Sequence, residues 1–299
     1  MDILVAGGNG FIGSHLVPEL LDDDHEVTVL ARSPDSNALP DAVETVSGDI
    51  TAYDSIESAV AGHDAVVNLV ALSPLFKPKG GDRMHDEVHR HGTENLVRAA
   101  EAGGVDRFVQ LSALGADPNG ATAYIRAKGQ AEAHVTDSEL DGVLIRPSVV
   151  FGEGGEFVSF TKKLKGMFAP GVPVYPLPGG GKTRFQPIYV DDLVGMLAET
   201  LTDDAHIGET YELGGPDNLT LREITNMVYE AEGKSVSIVS VPMALAGVGL
   251  TLGGKIPGFP MGADQYRSLQ FDNTTADNDI GAFGVEVDDL TTLADYLGV

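Results

Sequence analysis

Apolar and polar positions along the first half of the chain fall into blocks of two periods. Residues 2–6, DILVA, form a short apolar run stopped by glycines, the pattern of a buried parallel strand. FIGSHLVPELL then spaces its apolar groups along one helical face before the acidic turn DDDH. EVTVLAR from Glu26 reads as a second strand, VETVSGD (Val43 to Asp49) as a third and DAVVNLVA from Asp64 as a fourth. RFVQLSA from Arg107 is the fifth and GVLIRPSVVFG from Gly142 the sixth, with helical stretches such as HDEVHRHGTENLVRAAEAGG from His85 between them. Strands alternating with helices predict right-handed βαβ units and an α/β fold with a doubly wound parallel sheet.

From about Phe151 glycine and proline become dense (GEGGE, PGVPVYPLPGGGK) and the alternation stops. Two helices still stand out: VDDLVGMLAETL from Val190, and one that opens on the capping box Thr220-x-x-Glu223 and ends at Gly233. The expected organisation is a dinucleotide-binding domain over residues 1–150 and a smaller substrate or partner lobe over 151–299, some of whose segments return to the sheet.

Composition narrows the function. The chain has no cysteine, which excludes disulfides, thiolate catalysis and Cys-based metal sites. With 45 acidic against 19 basic residues its formal net charge is −26, so nucleic acid and anionic lipid are disfavoured as partners. The acids are scattered, and a solvated acidic surface that resembles proteins of salt-loving organisms is the expectation. No stretch approaches the ~20 apolar residues of a membrane span, and the N-terminus runs straight into a strand without a basic leader region, so a cytoplasmic location is expected.

The first strand is followed by GGNGFIG, with Gly7, Gly10 and Gly13 spaced G-x-x-G-x-x-G around Asn9, Phe11 and Ile12. The first glycine permits a tight turn, the second lets backbone approach a pyrophosphate, and the third lets helix pack on strand. A glycine triplet alone is weak; placed after a strand and before an amphipathic helix it is the context a dinucleotide needs. Where NAD-specific sites place an acid after the second strand, this chain has Arg32-Ser33. A guanidinium beside a hydroxyl suits a 2′-phosphate, so NADP(H) is the preferred cofactor and NAD(H) the alternative. Asp49, with Ile50 after it, is placed to accept from the adenine amino group.

Tyr124-Ile-Arg-Ala-Lys128 is Y-x-x-x-K, which puts both side chains on one helical face. A tyrosine near pKa 10 is a poor acid-base group at neutral pH, and a neighbouring ammonium together with an oxidised nicotinamide would bring it towards the working range. With these residues the chain resembles the short-chain dehydrogenase/reductase superfamily in its extended or atypical branch, over almost its whole length. The resemblance runs through GGNGFIG, His91–Thr93 with Asn95, VDRFVQLSALGA, YIRAK, LIRPSVVFG and PIYVDDL. It is most marked towards the group related to the NADPH-binding accessory subunit of respiratory complex I.

The resemblance implies that backbone from Pro147 through Val149 and Val150 meets the nicotinamide carboxamide, and that Val70 and Ala71 line the cofactor. It also implies Tyr124 as acid/base, Lys128 holding the ribose, and a catalytic serine late in the fifth strand. Two positions depart from the pattern. Alignment of FVQLSA leaves Ala113 where the serine is expected, with Ser112 one residue earlier and facing the other side unless the strand bulges; Ser112, or a water near Ala113, is the catalytic candidate to polarise the substrate oxygen. His89 replaces the asparagine of the tetrad, on a helix expected beside the cofactor.

Other motifs are weaker. His85-x-x-x-His89 lacks the order and third ligand of a zinc helix, so no metal is expected. GGGKT at Gly179–Thr183 lacks the first glycine and following helix of a phosphate-binding loop. Asp191 and Asp192 open a helix and suit its dipole. The segment VPMALAGVGLTLGGKIPGFPMGA from Val241 is apolar but too broken to span a bilayer; it reads as lobe core, with a greasy pocket or membrane-facing flap as the alternative. Three functions therefore stand: an NADP(H)-dependent oxidoreductase acting on a small carbonyl, alcohol or apolar substrate, a non-catalytic NADP(H)-binding protein of a respiratory complex, and a nucleotide-sugar epimerase or dehydratase. A homodimer is open in each.

Overall fold

A computed structural model describes residues 1–34, 39–172, 174–256 and 259–299, apart from the side chain of Phe168. Pro173 in the Pro-rich stretch, and Pro257 and Gly258 in the apolar segment from Val241, lie outside the described residues. The chain forms two compact units, the first made of Met1–Leu72, Gly80–Pro147 and Val190–Glu212.

In the first unit the strands are β1 (Asp2–Ala6), β2 (Glu26–Ala31), β3 (Glu44–Ser47), β4 (Ala65–Asn68), β5 (Arg107–Leu111) and β6 (Asp141–Pro147). They are parallel, and with the strand Thr210–Leu213 they form a seven-stranded sheet in which Thr210–Leu213 neighbours β6, followed by β5, β4, β1, β2 and β3. Ile3, Leu4, Val5 and Ala6 of β1 are fully buried, which is why this central strand reads as one unbroken apolar run. Chain order reverses between β1 and β4, and there Ala6 stands level with Leu30 on one side and Asn68 on the other. Such a switch point opens a crevice outside the carboxyl ends of the strands, where doubly wound sheets bind ligands.

The helix Val190–Thr202 packs on α1 (Gly13–Asp22), so it is a sheet-covering helix of the first unit although it comes late in the chain. The expected division at residue 150 therefore differs from the structural one. The first unit ends its long segment at Pro147, takes back Val190–Glu212 and gives up Ser73–Lys79, because membership follows packing and not position along the chain. The helix expected from His85 is three segments in succession: Arg83–His85, a π-helical turn Asp86–His91, and the α-helix Gly92–Gly103, closed by left-handed Gly104.

The second unit comprises Ser73–Lys79, Ser148–Tyr189 and Leu213–Val299. Its strands are short pairs: Val174–Pro178 with Ser237–Val241, Val150–Phe151 with Ile188–Tyr189, and Arg184–Phe185 with Leu219–Thr220. The capping box forms as expected, with Thr220 Oγ1 accepting from Glu223 N–H and the Glu223 carboxylate accepting from Thr220 N–H. That helix stops at Glu230, three residues before the left-handed Gly233.

Candidate functional site

The Gly-rich turn follows β1 directly. Gly7 has φ +84°, and a Cβ there would lie 3.1 Å from the backbone nitrogen of Val70 beyond β4, so only glycine takes both the conformation and the approach. A Cβ on Gly13 would sit 2.4 Å from the Cα of Gly8, so this glycine lets α1 begin against the turn itself. Ile12 occupies the cap position of α1 without a side-chain hydrogen bond, and no acid stands in the first turn. The positive end of the helix is thereby left for an anion. Phe11 closes the turn, its carbonyl accepting from Ser14 Oγ and its ring meeting His15 edge-on. His15 in turn bonds Asp191 at 2.6 Å, which gives that acid a partner besides the dipole of its own helix.

The turn is tied to the end of β2 by Asn9, whose amide donates to the carbonyl of Ser33 at 3.3 Å. Arg32 and Ser33 are exposed there, and Arg32 makes no salt bridge among the described residues. Past β3, Asp49 Oδ1 accepts from the N–H and the hydroxyl of Thr51, which fixes the carboxylate at the mouth of the sheet. Ile50 is buried, its side chain filling the space that Gly92 leaves open and its carbonyl accepting from Asn95. Val70 N–H donates to Asn68 Oδ1, Asn68 Nδ2 bridges to Thr93 and Gln110, and Ala71 is exposed. This buried amide network sets the edge of the crevice at β4, and the sequence pattern did not reveal it.

Tyr124 and Lys128 lie on the helix Ala123–Thr136, capped by Thr122, whose Oγ1 accepts from Ile125 N–H. The Lys128 ammonium donates to the Leu111 carbonyl at 2.7 Å and stands 6.0 Å from the centre of the Tyr124 ring. Burial pulls the Lys128 pKa down to about 8, with Glu132 opposing the shift. Burial pushes the Tyr124 phenol above its ordinary range. In this arrangement desolvation dominates at the phenol, and the expected lowering joins the lysine to an oxidised nicotinamide.

His85 and His89 stack with their rings 5.5 Å apart, and both meet Tyr124 edge-on at 5.5 and 5.3 Å. The two rings are four residues apart and so lie on one face of the helical segment, His85 at the end of Arg83–His85 and His89 within the π-helical turn. His89 accepts from Leu72 N–H at Nε2, so its hydrogen is assigned to Nδ1, which has no partner among the described residues. Burial, with Lys128 and His85 nearby, holds its pKa well below that of a free imidazole. A neutral ring with a buried, unspent donor thus replaces the expected asparagine amide.

Ser112 is placed differently from its expected role. Its hydroxyl donates to Glu132 at 2.5 Å, and Glu132 forms a two-pronged pair with Arg146 at 2.6 and 2.8 Å, which also reaches Glu212. Side chains alternate sides along the chain past β5, so Ser112 falls on the face that carries this pair while Ala113 takes the other. Pro147 accepts from Leu114 N–H. Val149 N–H donates to Asn273 Oδ1 and Val150 pairs with Ile188, both inside the second unit, so a carboxamide contact there needs groups other than the Val149 N–H. Glu199, Asp203 and His206 bring possible ligand atoms within 4.8 Å of one another, but Tyr211 and Glu199 hold the histidine ring and Ala205 N–H holds Asp203.

A glycine turn against an uncapped helix end at a sheet switch point defines a dinucleotide-binding α/β protein. The chain belongs to the NAD(P)H-binding family, whose family model matches residues 7–167. It is 29% identical to the mitochondrial NADH dehydrogenase [ubiquinone] 1 alpha subcomplex subunit 9 of Arabidopsis thaliana, over 92% of this chain and 71% of that protein. It is 30% identical to a 3 beta-hydroxysteroid dehydrogenase/Delta 5-->4-isomerase of Mycobacterium tuberculosis, over 78% and 70%. The dTDP-glucose 4,6-dehydratase of Streptomyces venezuelae, crystallised with NAD bound, superposes with a TM-score of 0.68 at 25% identity, over 81% of this chain and 84% of that one. The resemblance drawn from the motifs is thus a family relationship that embraces the complex I subunit and the sugar-nucleotide dehydratases. Among the described residues no helix is long and apolar enough to cross a membrane.

Proposed function

We propose that the chain is an NADP(H)-dependent oxidoreductase that reduces a small or apolar carbonyl compound, with Tyr124 as the proton donor. The observation that carries this reading is the phenol of Tyr124, kept protonated by burial against His85 and His89 and sharing a helix face with Lys128. NADPH held at the glycine turn would supply hydride to the carbonyl carbon. Tyr124 then gives its proton to the carbonyl oxygen, and Lys128 stabilises the phenolate left behind. The Nδ1–H of His89 is a buried donor beside Tyr124 that can support the ring's orientation, and Ser112 takes no part. The exposed guanidinium of Arg32, joined to the glycine turn through Ser33 and Asn9, favours a 2′-phosphate and hence NADPH.

A screen of aldehydes, ketones and quinones with NADPH tests the reading. Tyr124→Phe is expected to lower turnover about 10²–10⁴-fold while leaving NADPH affinity unchanged. Full activity in that variant overturns it.

A second reading is favoured by Ser112 being spent on Glu132 and by Ala113 beside it. In it NADP(H) is structural and the chain serves a larger assembly, as the name of its plant relative describes for that protein. Tight NADPH binding with no turnover on any carbonyl substrate selects this second reading.

A further inference from the structure

The negative charge is unevenly divided. The first unit holds 31 acidic and 8 basic residues, the second 14 and 11, and eight of the nine lysines belong to the second. Within the second unit, residues 233–263 contain no acid. The helix Met243–Gly253 lies in that stretch and carries no charged residue. Its Gly247 and Leu250 are buried, and a Cβ on Gly247 would lie 2.7 Å from the Tyr266 ring, so one side is firmly seated.

The other side is unpartnered. Leu245, Val248 and Leu252 recur at i, i+3 and i+7 and so share a face, and Ile256 follows one turn on. They are 65, 59, 57 and 62% exposed, the four most exposed large apolar side chains among the described residues. A surface helix ordinarily carries polar groups at such positions, and a contiguous apolar patch marks an interaction site.

The rim of this patch is basic. Lys77 donates from Nζ to the Gly254 carbonyl at the end of the helix, Lys79 lies two residues further on, and Lys255 is exposed beside Gly254. The first acid after the stretch, Asp264, is buried and paired with Arg267 at 2.6 Å.

We propose that this face docks on an anionic phospholipid surface. The four aliphatic side chains enter the boundary between headgroups and acyl chains, while Lys255 and Lys79 meet lipid phosphates. A second copy would meet the patch with the same lysines and the same featureless aliphatic surface, whereas an anionic interface complements both. The net charge of −26 opposes this at long range, but about 0.1 M salt screens charges beyond about 10 Å, so the lysines beside the patch act at short range.

The test is sedimentation of the full chain with vesicles of phosphatidylcholine, with and without phosphatidylglycerol, at about 0.1 M salt. Binding is expected on the anionic vesicles. It should fall at least tenfold in the triple variant Leu245→Ser, Val248→Ser, Leu252→Ser and about fivefold in Lys255→Gln. An unchanged melting temperature and unchanged NADPH binding verify that the variants fold. Three results overturn the proposal: no binding to either vesicle, equal binding to both, or undiminished binding by the triple variant. A dimer in solution that the triple variant abolishes assigns the face to a second copy and overturns it as well.

Discussion

Lys128 donates from Nζ to the carbonyl of Leu111, at the last residue of β5, at 2.7 Å. The side chain therefore fixes the Tyr124 helix to the sheet edge as well as carrying a charge into the site. Its burial brings the ammonium down to about 8, against about 10.4 for a free lysine.

This sets a pH dependence. Between about pH 8 and 10.4 the unfolded chain keeps a proton that the folded chain has released, so this group makes stability rise with pH across that window. The rise is at most about 3 kcal/mol for a shift of this size. Lys128→Met should flatten it, as urea unfolding midpoints measured from pH 7 to 10 would show. An identical slope in the two proteins excludes a depressed Lys128.

Arg32 governs cofactor choice if it meets a 2′-phosphate. Hydrogen bonds to charged groups contribute about 1.5–3 kcal/mol, so Arg32→Ala should weaken NADPH binding roughly 10- to 100-fold and leave NADH nearly unaffected. Fluorescence titration of both cofactors measures this. A wild-type chain that binds the two equally, or prefers NADH, removes the assignment.

Ser112 separates a structural hydroxyl from a catalytic one. Because its Oγ donates to the buried Glu132, Ser112→Ala leaves that carboxylate one bond short and should cost about 1–3 kcal/mol of stability. Turnover per folded molecule should stay within about twofold. A hundredfold loss of turnover with unchanged stability would return Ser112 to the reacting centre.

The charge of the first unit predicts a response to salt. With 31 acidic against 8 basic residues, it repels itself at about 0.1 M, where screening reaches about 10 Å, and much less near 1 M, where it falls to about 3 Å. The melting temperature should therefore climb over that range. A flat or falling curve contradicts the prediction.

The sequence by itself determined the sheet, the turn and the cofactor class. Those features are local: a short apolar run stopped by glycines, as in residues 2–6, reads as a strand by its length and flanks, and Gly7, Gly10 and Gly13 follow it at fixed spacing. The Y-x-x-x-K spacing likewise placed Tyr124 and Lys128 on one helix. Only the tertiary structure decided what those groups can do. That Glu132 claims Ser112, that Tyr124 meets the rings of His85 and His89, and that Val190–Thr202 belongs with α1 all depend on residues distant in sequence. Desolvation is the same kind of quantity. Whether a phenol or an ammonium is raised or lowered depends on everything packed around it, and the spacing of two residues along a helix does not contain that information.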